Sequence, residues 1–219
     1  MTPRTRSTQL ADYEVRAVLA RLEGLLLRPL RSVLRRGKIT HFGPSDTKGY
    51  DWHYRDRYAL WNDLRHAELV ARCPYGKDGD LIAVQETWGV AEGPRVIYRA
   101  DTPGAGFLPG WRSASQMSRD LSRITLRIKE VRPRLLKAAV TTEQDVLTCG
   151  LERTEDVHGR PMWLTAERWP TMYADLAYVS HWDARYGKHL GFEAAGNPWV
   201  WAIEVERVVA EKPAEEETP

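Results

Sequence analysis

One stretch of the sequence joins a tight turn to a short apolar run, and the rest of the chain is interpreted around it. Residues 73–80 contain one proline and two glycines, which supply turn conformations. Residues 81–88 continue as a strand-type apolar run that ends on Glu86 and Trp88. A carboxylate placed directly after a buried strand is a candidate functional group.

Several other segments show the period of a helix or a strand. Apolar residues from Asp12 to Leu27 recur at helical spacing, and Pro29 is expected to end that helix. Residues 123–131 alternate, which predicts a strand with its apolar side chains toward the core. The apolar side chains of that strand are Ile124, Leu126 and Ile128. Further strands are predicted at 96–99 and 199–206, and further helices at 142–149 and 172–185.

Two segments have no clear period. Residues 37–62 are rich in turn-forming and aromatic residues, which predicts a long surface excursion that packs its own aromatics, followed by a short helix near 60–71. Residues 150–170 are expected to be irregular. Strands interspersed with single helices, without a repeated strand–helix rhythm, favour an α+β barrel or sheet over a doubly wound fold.

Positive charge is concentrated near the N-terminus. The whole chain of 219 residues has a net charge of +2, but residues 1–40 carry nine Arg or Lys against three acids, a net of +6. Such a cluster predicts a polyanionic partner, and a solvated helix surface is the alternative. The nine tryptophans fill a core or offer stacking surfaces for bases.

The cysteine and histidine patterns predict no metal and no cofactor. Cys73 and Cys149 are too few for a disulfide framework or a four-cysteine zinc site, and the six histidines lack metal-ligand spacing.

Neither an apolar leader nor a run of 18 apolar residues occurs, so neither secretion nor a membrane span is expected. Free cysteines favour a reducing compartment, and the predicted location is the cytoplasm.

Four motifs in series resemble those of phage and prophage proteins of the ASCH family. They read C-P-Y-G-x-x-G-D-x-x-x-V-x-E-T-W, Y-R-A-D, M-S-R-D-L-S-R-I-T-L and N-P-W-V-W, at residues 73–88, 98–101, 117–126 and 197–201. The resemblance implies a PUA-like small mixed β-barrel with flanking helices over residues 73–208. Residues 1–72 are then a basic helix and aromatic excursion packed on it, and 209–219 an acidic disordered tail.

The resemblance implies two kinds of activity, which are binding of RNA or a modified base, and hydrolysis of RNA or of an acylated nucleoside. The enzymatic members use a lysine and a glutamate that the matching stretches here lack. Residues 24–29 contain no lysine, and the glutamate position holds Cys149. Lys38 is the remaining candidate for a catalytic lysine. Cys149 is interpreted as a small buried residue rather than a nucleophile, because a helix C-terminus disfavours a thiolate.

The candidate ligand contacts surround the central strands. Glu86 either accepts hydrogen bonds from a base or pairs with Arg123 or Arg119. Trp88 and Trp199 are candidates to stack on a base. Core packing is the expected role of the neighbouring tryptophan at position 201.

Candidate phosphate contacts come from two regions. Arg119, Ser122 and Arg123 precede a core strand and are placed to meet a phosphate or the carboxylate after the opening strand. The N-terminal cations expected to hold a nucleic-acid backbone are Arg28, Arg31, Arg35 and Arg36.

Three function classes follow from these residues. The first is a nucleic-acid or modified-nucleobase-binding protein, whose partner is RNA, DNA or a modified nucleoside. The second is a hydrolase that uses Lys38 or an unrecognised residue. The third is a protein–protein adaptor without a ligand. No membrane partner is predicted.

Overall fold

A computed structural model describes residues 3–30, 41–56, 58–91, 95–102 and 110–209. These residues form an α+β fold, which confirms the predicted class. In chain order the strands are β1 Thr5–Gln9, β2 Glu23–Pro29, β3 His41–Pro44, β4 Trp52–Arg55, β5 Trp61–Leu64, β6 Leu81–Gln85, β7 Trp88–Val90, β8 Val96–Tyr98, β9 Thr125–Leu135, β10 Arg153–Glu155, β11 Pro161–Leu164, β12 Pro170–Thr171 and β13 Trp199–Arg207. The α-helices are α1 Asp12–Ala20, α2 His66–Ala71, α3 Leu136–Ala139, α4 Glu143–Thr148 and α5 Ala174–Tyr186.

The main sheet contains five of these strands in the order β1-β6-β9-β13-β2. β1 runs parallel to β6, and the other neighbours are antiparallel. Helix α1 connects β1 to β2, which are the two edges of this sheet. The ladder formed by the described strands is therefore open, and it does not close into a barrel.

Side chains cover both faces of the main sheet. Along β13, Val200 and Ala202 belong to one buried cluster, whereas Trp201 and Ile203 belong to another. Alternation along a strand places successive side chains on opposite faces, so a strand buried on both faces reads as a continuous apolar run. The core position of Trp201, which is 0% exposed, confirms its prediction.

The alternating segment before and within β9 behaves as predicted. Ile124, Leu126 and Ile128 are buried, and the residues between them are exposed or half-buried. The helix expected over 142–149 is α4, in which the Thr142 hydroxyl accepts a hydrogen bond from the Asp145 N–H. Helix α5 fills most of the predicted 172–185 segment.

The helix predicted from Asp12 to Leu27 is wrong beyond Ala20. The chain turns after α1 and enters β2, where Leu25 and Leu27 pack on one face and Leu26 on the other. Three consecutive leucines fit a strand that is buried on both faces, and helical spacing arises there by coincidence. The strand predicted to run to Trp88 also ends early, at Gln85.

The two segments without clear period contain small sheets. Strands β3, β4 and β5 form an antiparallel meander that precedes α2, and β10, β11 and β12 form a second one. Irregular structure was the wrong prediction for 150–170, and the helix near 60–71 begins only at His66. Strands of two to four residues are too short to show a period of two.

Cys149 is buried at the C-terminal end of α4, as expected from the sequence. Burial raises the pKa of its thiol, which favours the neutral form over a nucleophilic thiolate. Within the described ranges, no helix has the length and apolar character needed to cross a membrane.

Candidate nucleic-acid interface

Glu86 is part of an ion pair. The strand β6 delivers it to the interior, where its side chain is 1% exposed. Its Oε1 and Oε2 accept hydrogen bonds from Arg123 Nε and Nη2, both at 2.9 Å. Burial is the largest influence on the pKa of Glu86 and raises it, while the Arg123 guanidinium opposes that shift. Of the two predicted roles, the structure shows the internal pair.

Arg123 lies between two carboxylates. Its Nη1 and Nη2 donate to Asp101 at 2.7 and 2.9 Å, in addition to the bonds with Glu86. The guanidinium also sits 4.0 Å from the centre of the Tyr98 ring. Two carboxylates on one guanidinium leave a net negative charge, which repels a phosphate. Arg123 and Glu86 are thus engaged in internal ion pairs, and the roles predicted for them toward a phosphate and a base stay predictions.

The two tryptophans predicted to stack on a base pack against neighbouring side chains instead. Trp88 is 6% exposed, with the Arg112 guanidinium 4.8 Å from its ring centre. Trp199 meets Phe42 and Trp52 edge to face, at centroid distances of 5.3 and 5.5 Å. Trp88 is thus buried and Trp199 half-buried, and their predicted stacking on a base stays a prediction.

Ser122 and Arg119 differ in accessibility. The Ser122 hydroxyl donates to the Val84 carbonyl at 2.8 Å and holds the segment before β9 against β6. Its predicted contact with a ligand stays a prediction. The exposed Arg119 donates through Nη2 to the Thr5 carbonyl at 3.1 Å. It remains at the surface, where its other donors face water.

Among the N-terminal cations predicted to hold a nucleic-acid backbone, Arg28 is the one that the structure describes. Arg28 lies in β2, is 2% exposed and pairs with Glu14, which corrects its assignment to a nucleic-acid backbone. The predictions for Arg31, Arg35, Arg36 and Lys38 fall outside the described residues. The hydrolase alternative, which uses Lys38 or an unrecognised residue, stays a prediction.

The sheet of β3, β4 and β5 has one buried face and one open face. Phe42, Tyr54 and Leu64 point into the core. Because side chains alternate along each strand, the opposite face carries the residues between them. The register pairs His41 with Arg55 and Arg55 with Trp61 across the three strands.

Four side chains on the open face form a connected group, which we call the aromatic face: His41, His53, Arg55 and Trp61. The Trp61 ring centre lies 4.7 Å from that of His53 and 5.2 Å from that of His41. The Arg55 guanidinium carbon is 5.8 Å from the indole centre. Trp61 nevertheless stays 56% exposed. The group therefore offers an indole surface with imidazole and guanidinium neighbours to the solvent.

A glycine and a hydrogen-bonded acid also lie on this face. Gly43 lies between the two histidines, and a Cβ added there would meet His53 Nε2 at 3.6 Å and His41 Nε2 at 4.0 Å. The acid on this face, Asp63, accepts a hydrogen bond from the Ser45 hydroxyl at 2.7 Å.

The aromatics of this region stand out in the sequence, but their separation onto two faces does not. The sequences W-H-Y-R in β4 and W-N-D-L in β5 contain the relevant signal. When the two strands are aligned as antiparallel neighbours, successive residues of each strand lie on opposite faces of the sheet. Across the described part of the chain, no group of three or more His, Cys, Asp or Glu side chains has the arrangement of a metal site.

No protein-family model, curated protein or solved structure matches this chain.

Proposed function

We propose that this protein binds single-stranded nucleic acid through the aromatic face of the β3–β5 sheet. The observation that carries the proposal is the exposed Trp61, which is surrounded by His41, His53 and Arg55 on an open sheet face. Sheet-borne aromatics stack on unpaired bases, and an arginine beside the ring adds a cation–π contribution. Both effects are sequence-tolerant, since every base has a π-face.

Charge near this face supports the same class of ligand. The guanidinium of Arg55 lies beside Trp61 on this face, and the carboxylate of Asp63 accepts a hydrogen bond from the Ser45 hydroxyl. The sequence that enters β3, residues 31–40, contains four cations and no acid. Its arginines Arg31, Arg35 and Arg36 therefore keep their proposed role in holding phosphates, and the surface residue Arg119 adds one more candidate.

The resemblance to the ASCH family, whose motifs lie within residues 73–201, supports the class of ligand but not the aromatic face itself. PUA-like proteins commonly bind RNA. We extend the proposal to the fold and infer that the main sheet has the organisation of a PUA-like barrel. Its edges β1 and β2 approach each other near α1, where Arg28 Nη2 and Arg185 Nη2 both donate to the Gln9 carbonyl, at 3.3 and 2.8 Å. The Arg28 bond joins the edge strand β2 to the edge strand β1, and the Arg185 bond joins α5 to β1.

The experiment compares three labelled strands of equal length by fluorescence anisotropy: an oligouridylate, an oligothymidylate and an abasic deoxyribose phosphate. Titrations at about 50 mM and about 200 mM salt separate stacking from phosphate contacts. We expect both base-containing strands to bind more tightly than the abasic strand, with affinity falling as salt rises. Absence of binding at low salt, or equal affinity for the abasic strand, would contradict the proposal.

A further inference from the structure

A group of polar side chains lines a cavity of about 770 Å³ to which no residue of the aromatic face contributes. The cavity lies between the N-terminal turn of α1, the turn that follows β8, and the segment from β11 to β12. Helix α5 closes one side with His181. Cavities of several hundred Å³ with convergent polar groups are typical of small-molecule sites.

Arginine is the most frequent charged residue in the cavity wall. Arg16 contacts Glu152 through Nε at 3.0 Å, and Arg99 contacts Asp12 through Nε at 3.1 Å. These contacts leave the two Nη groups of both guanidiniums without a partner among the described residues. Because the Nη groups form the outer edge of the fork, each arginine can still bind an oxyanion.

A third arginine, Arg168, enters the cavity from a tight turn. Its side chain has neither an ion pair nor a hydrogen bond within the part of the chain described. Its φ is +67°, a conformation that L-residues with a Cβ rarely adopt. The turn is held by the Arg168 N–H on the Thr165 carbonyl at 2.9 Å. The fold thus keeps an unpaired arginine where glycine would be the easier residue.

An aromatic pair forms another part of the wall. The rings of Tyr13 and His181 are 5.0 Å apart and tilted by 58°. His181 Nε2 lies 3.1 Å from the Leu164 carbonyl, which can only accept, so Nε2 carries the proton of the neutral ring. Burial lowers the pKa of His181, which keeps that ring neutral near pH 7. Its Nδ1 is then a hydrogen-bond acceptor of the kind that an amino or hydroxyl group of a ligand requires.

We propose that this cavity binds a nucleoside monophosphate, with Arg16, Arg99 and Arg168 on the phosphate and Tyr13 and His181 beside the base. Three guanidiniums against two carboxylates leave a positive balance for a phosphate with two charges. A nucleoside with a terminal phosphate occurs both as a free nucleotide and at the 5′-phosphorylated end of a strand. The site shares no residue with the aromatic face, so each proposal can fail without the other.

Isothermal titration calorimetry with the four common ribonucleoside monophosphates, their nucleosides and inorganic phosphate tests the cavity. We expect a monophosphate to bind more tightly than either of its halves. Competition by 5′-phosphorylated and 5′-hydroxyl dinucleotides then distinguishes a strand end from a free nucleotide as the source. Absence of monophosphate binding, or affinity no greater than that of inorganic phosphate, would overturn the proposal.

Arg168→Gly separates a binding role from a structural one. Glycine accepts the positive φ, so we expect the melting temperature to stay the same or rise. Affinity for the monophosphate should fall at least about tenfold, because a charge-assisted phosphate contact is lost. Arg153→Ala is the control, since Arg153 is half-exposed on β10 and 3.9 Å from Glu143. Unchanged affinity in Arg168→Gly would exclude the arrangement proposed.

Discussion

Glu14 and Arg28 form a buried bidentate ion pair that joins α1 to β2. The Glu14 oxygens accept from Arg28 Nη1 at 2.7 Å and Nη2 at 3.1 Å, and the two side chains are 3% and 2% exposed. Arg185 of α5 donates to the same carboxylate at 2.7 Å. Three elements therefore meet at one charged group in the interior.

Removing Arg28 should destabilise the fold. Arg28→Met takes away the bidentate partner and leaves Glu14 with Arg185 and the Ala11 N–H. Breaking a buried pair in this way costs about 3–5 kcal/mol. Urea unfolding measures the change. Arg127→Met is the control, because Arg127 pairs with Glu206 at the surface at 3.2 Å with 53% of its side chain exposed. The control should lose no more than about 1 kcal/mol; equal losses in the two variants would contradict the account.

The same pair predicts how stability depends on pH. Burial alone would raise the pKa of Glu14, but Arg28 and Arg185 outweigh it and lower the pKa from 4.5 to about 2. The stabilising contribution is therefore complete above the ordinary glutamate range and is lost as pH falls from 4.5 toward 2. The difference in unfolding free energy between wild type and Glu14→Gln should shrink over that range. A difference that stays constant with pH would contradict this assignment.

Glu86 and Arg123 predict a pH response for a second buried carboxylate. Arg123→Ala leaves a buried carboxylate whose pKa burial raises, and at neutral pH the expected loss is about 3–5 kcal/mol. Since a raised carboxyl pKa favours the protonated folded state, the penalty should diminish as pH falls through that pKa. Adding Glu86→Gln should recover part of the loss at neutral pH, as measured by urea unfolding. Failure of the double variant to recover would mean that Arg123 acts through other contacts.

The turn before β6 depends on a glycine. Gly76 has φ +127°, and a Cβ there would lie 2.8 Å from Ile128 Cδ1 and 3.1 Å from Asp80 Cβ. Gly49 has φ +90°, and a Cβ there would meet nothing within 4 Å, so Gly49→Ala adds backbone strain alone. Gly76→Ala adds overpacking to backbone strain. We therefore expect it to lower the free energy of unfolding by about 1–3 kcal/mol more than the control does. Thermal unfolding of both variants gives the comparison, and equal losses would remove the packing explanation.

The strands that could be predicted are those whose pattern depends on one buried face or on a long apolar run. Alternation around Leu126 and the apolar run through Trp201 both follow from burial of the main sheet. β2 was mistaken for helix because Leu25, Leu26 and Leu27 are buried on two faces at once. Only contacts with the neighbouring elements decide whether these leucines form a helix or a strand.

The site was harder to predict because its residues are defined by tertiary contacts. Glu86 meets Arg123 across 37 positions of sequence, and the sequence could name that pair only as an alternative to base recognition. Trp61 and Trp88 are the same residue type, yet one is 56% exposed and the other 6%. Composition does not distinguish a tryptophan that fills a core from one that lies on an open sheet.

The most direct test of the central claim compares two exposed tryptophans. Trp61, on the aromatic face, is 56% exposed, and Trp169, beside β12, is 71% exposed. Anisotropy titrations with a labelled oligouridylate should show that Trp61→Ala weakens binding by about tenfold, since stacking on one base contributes about 1–3 kcal/mol. Trp169→Ala should bind as tightly as wild type. If Trp61→Ala retains full affinity while remaining folded, the aromatic face is not the nucleic-acid site.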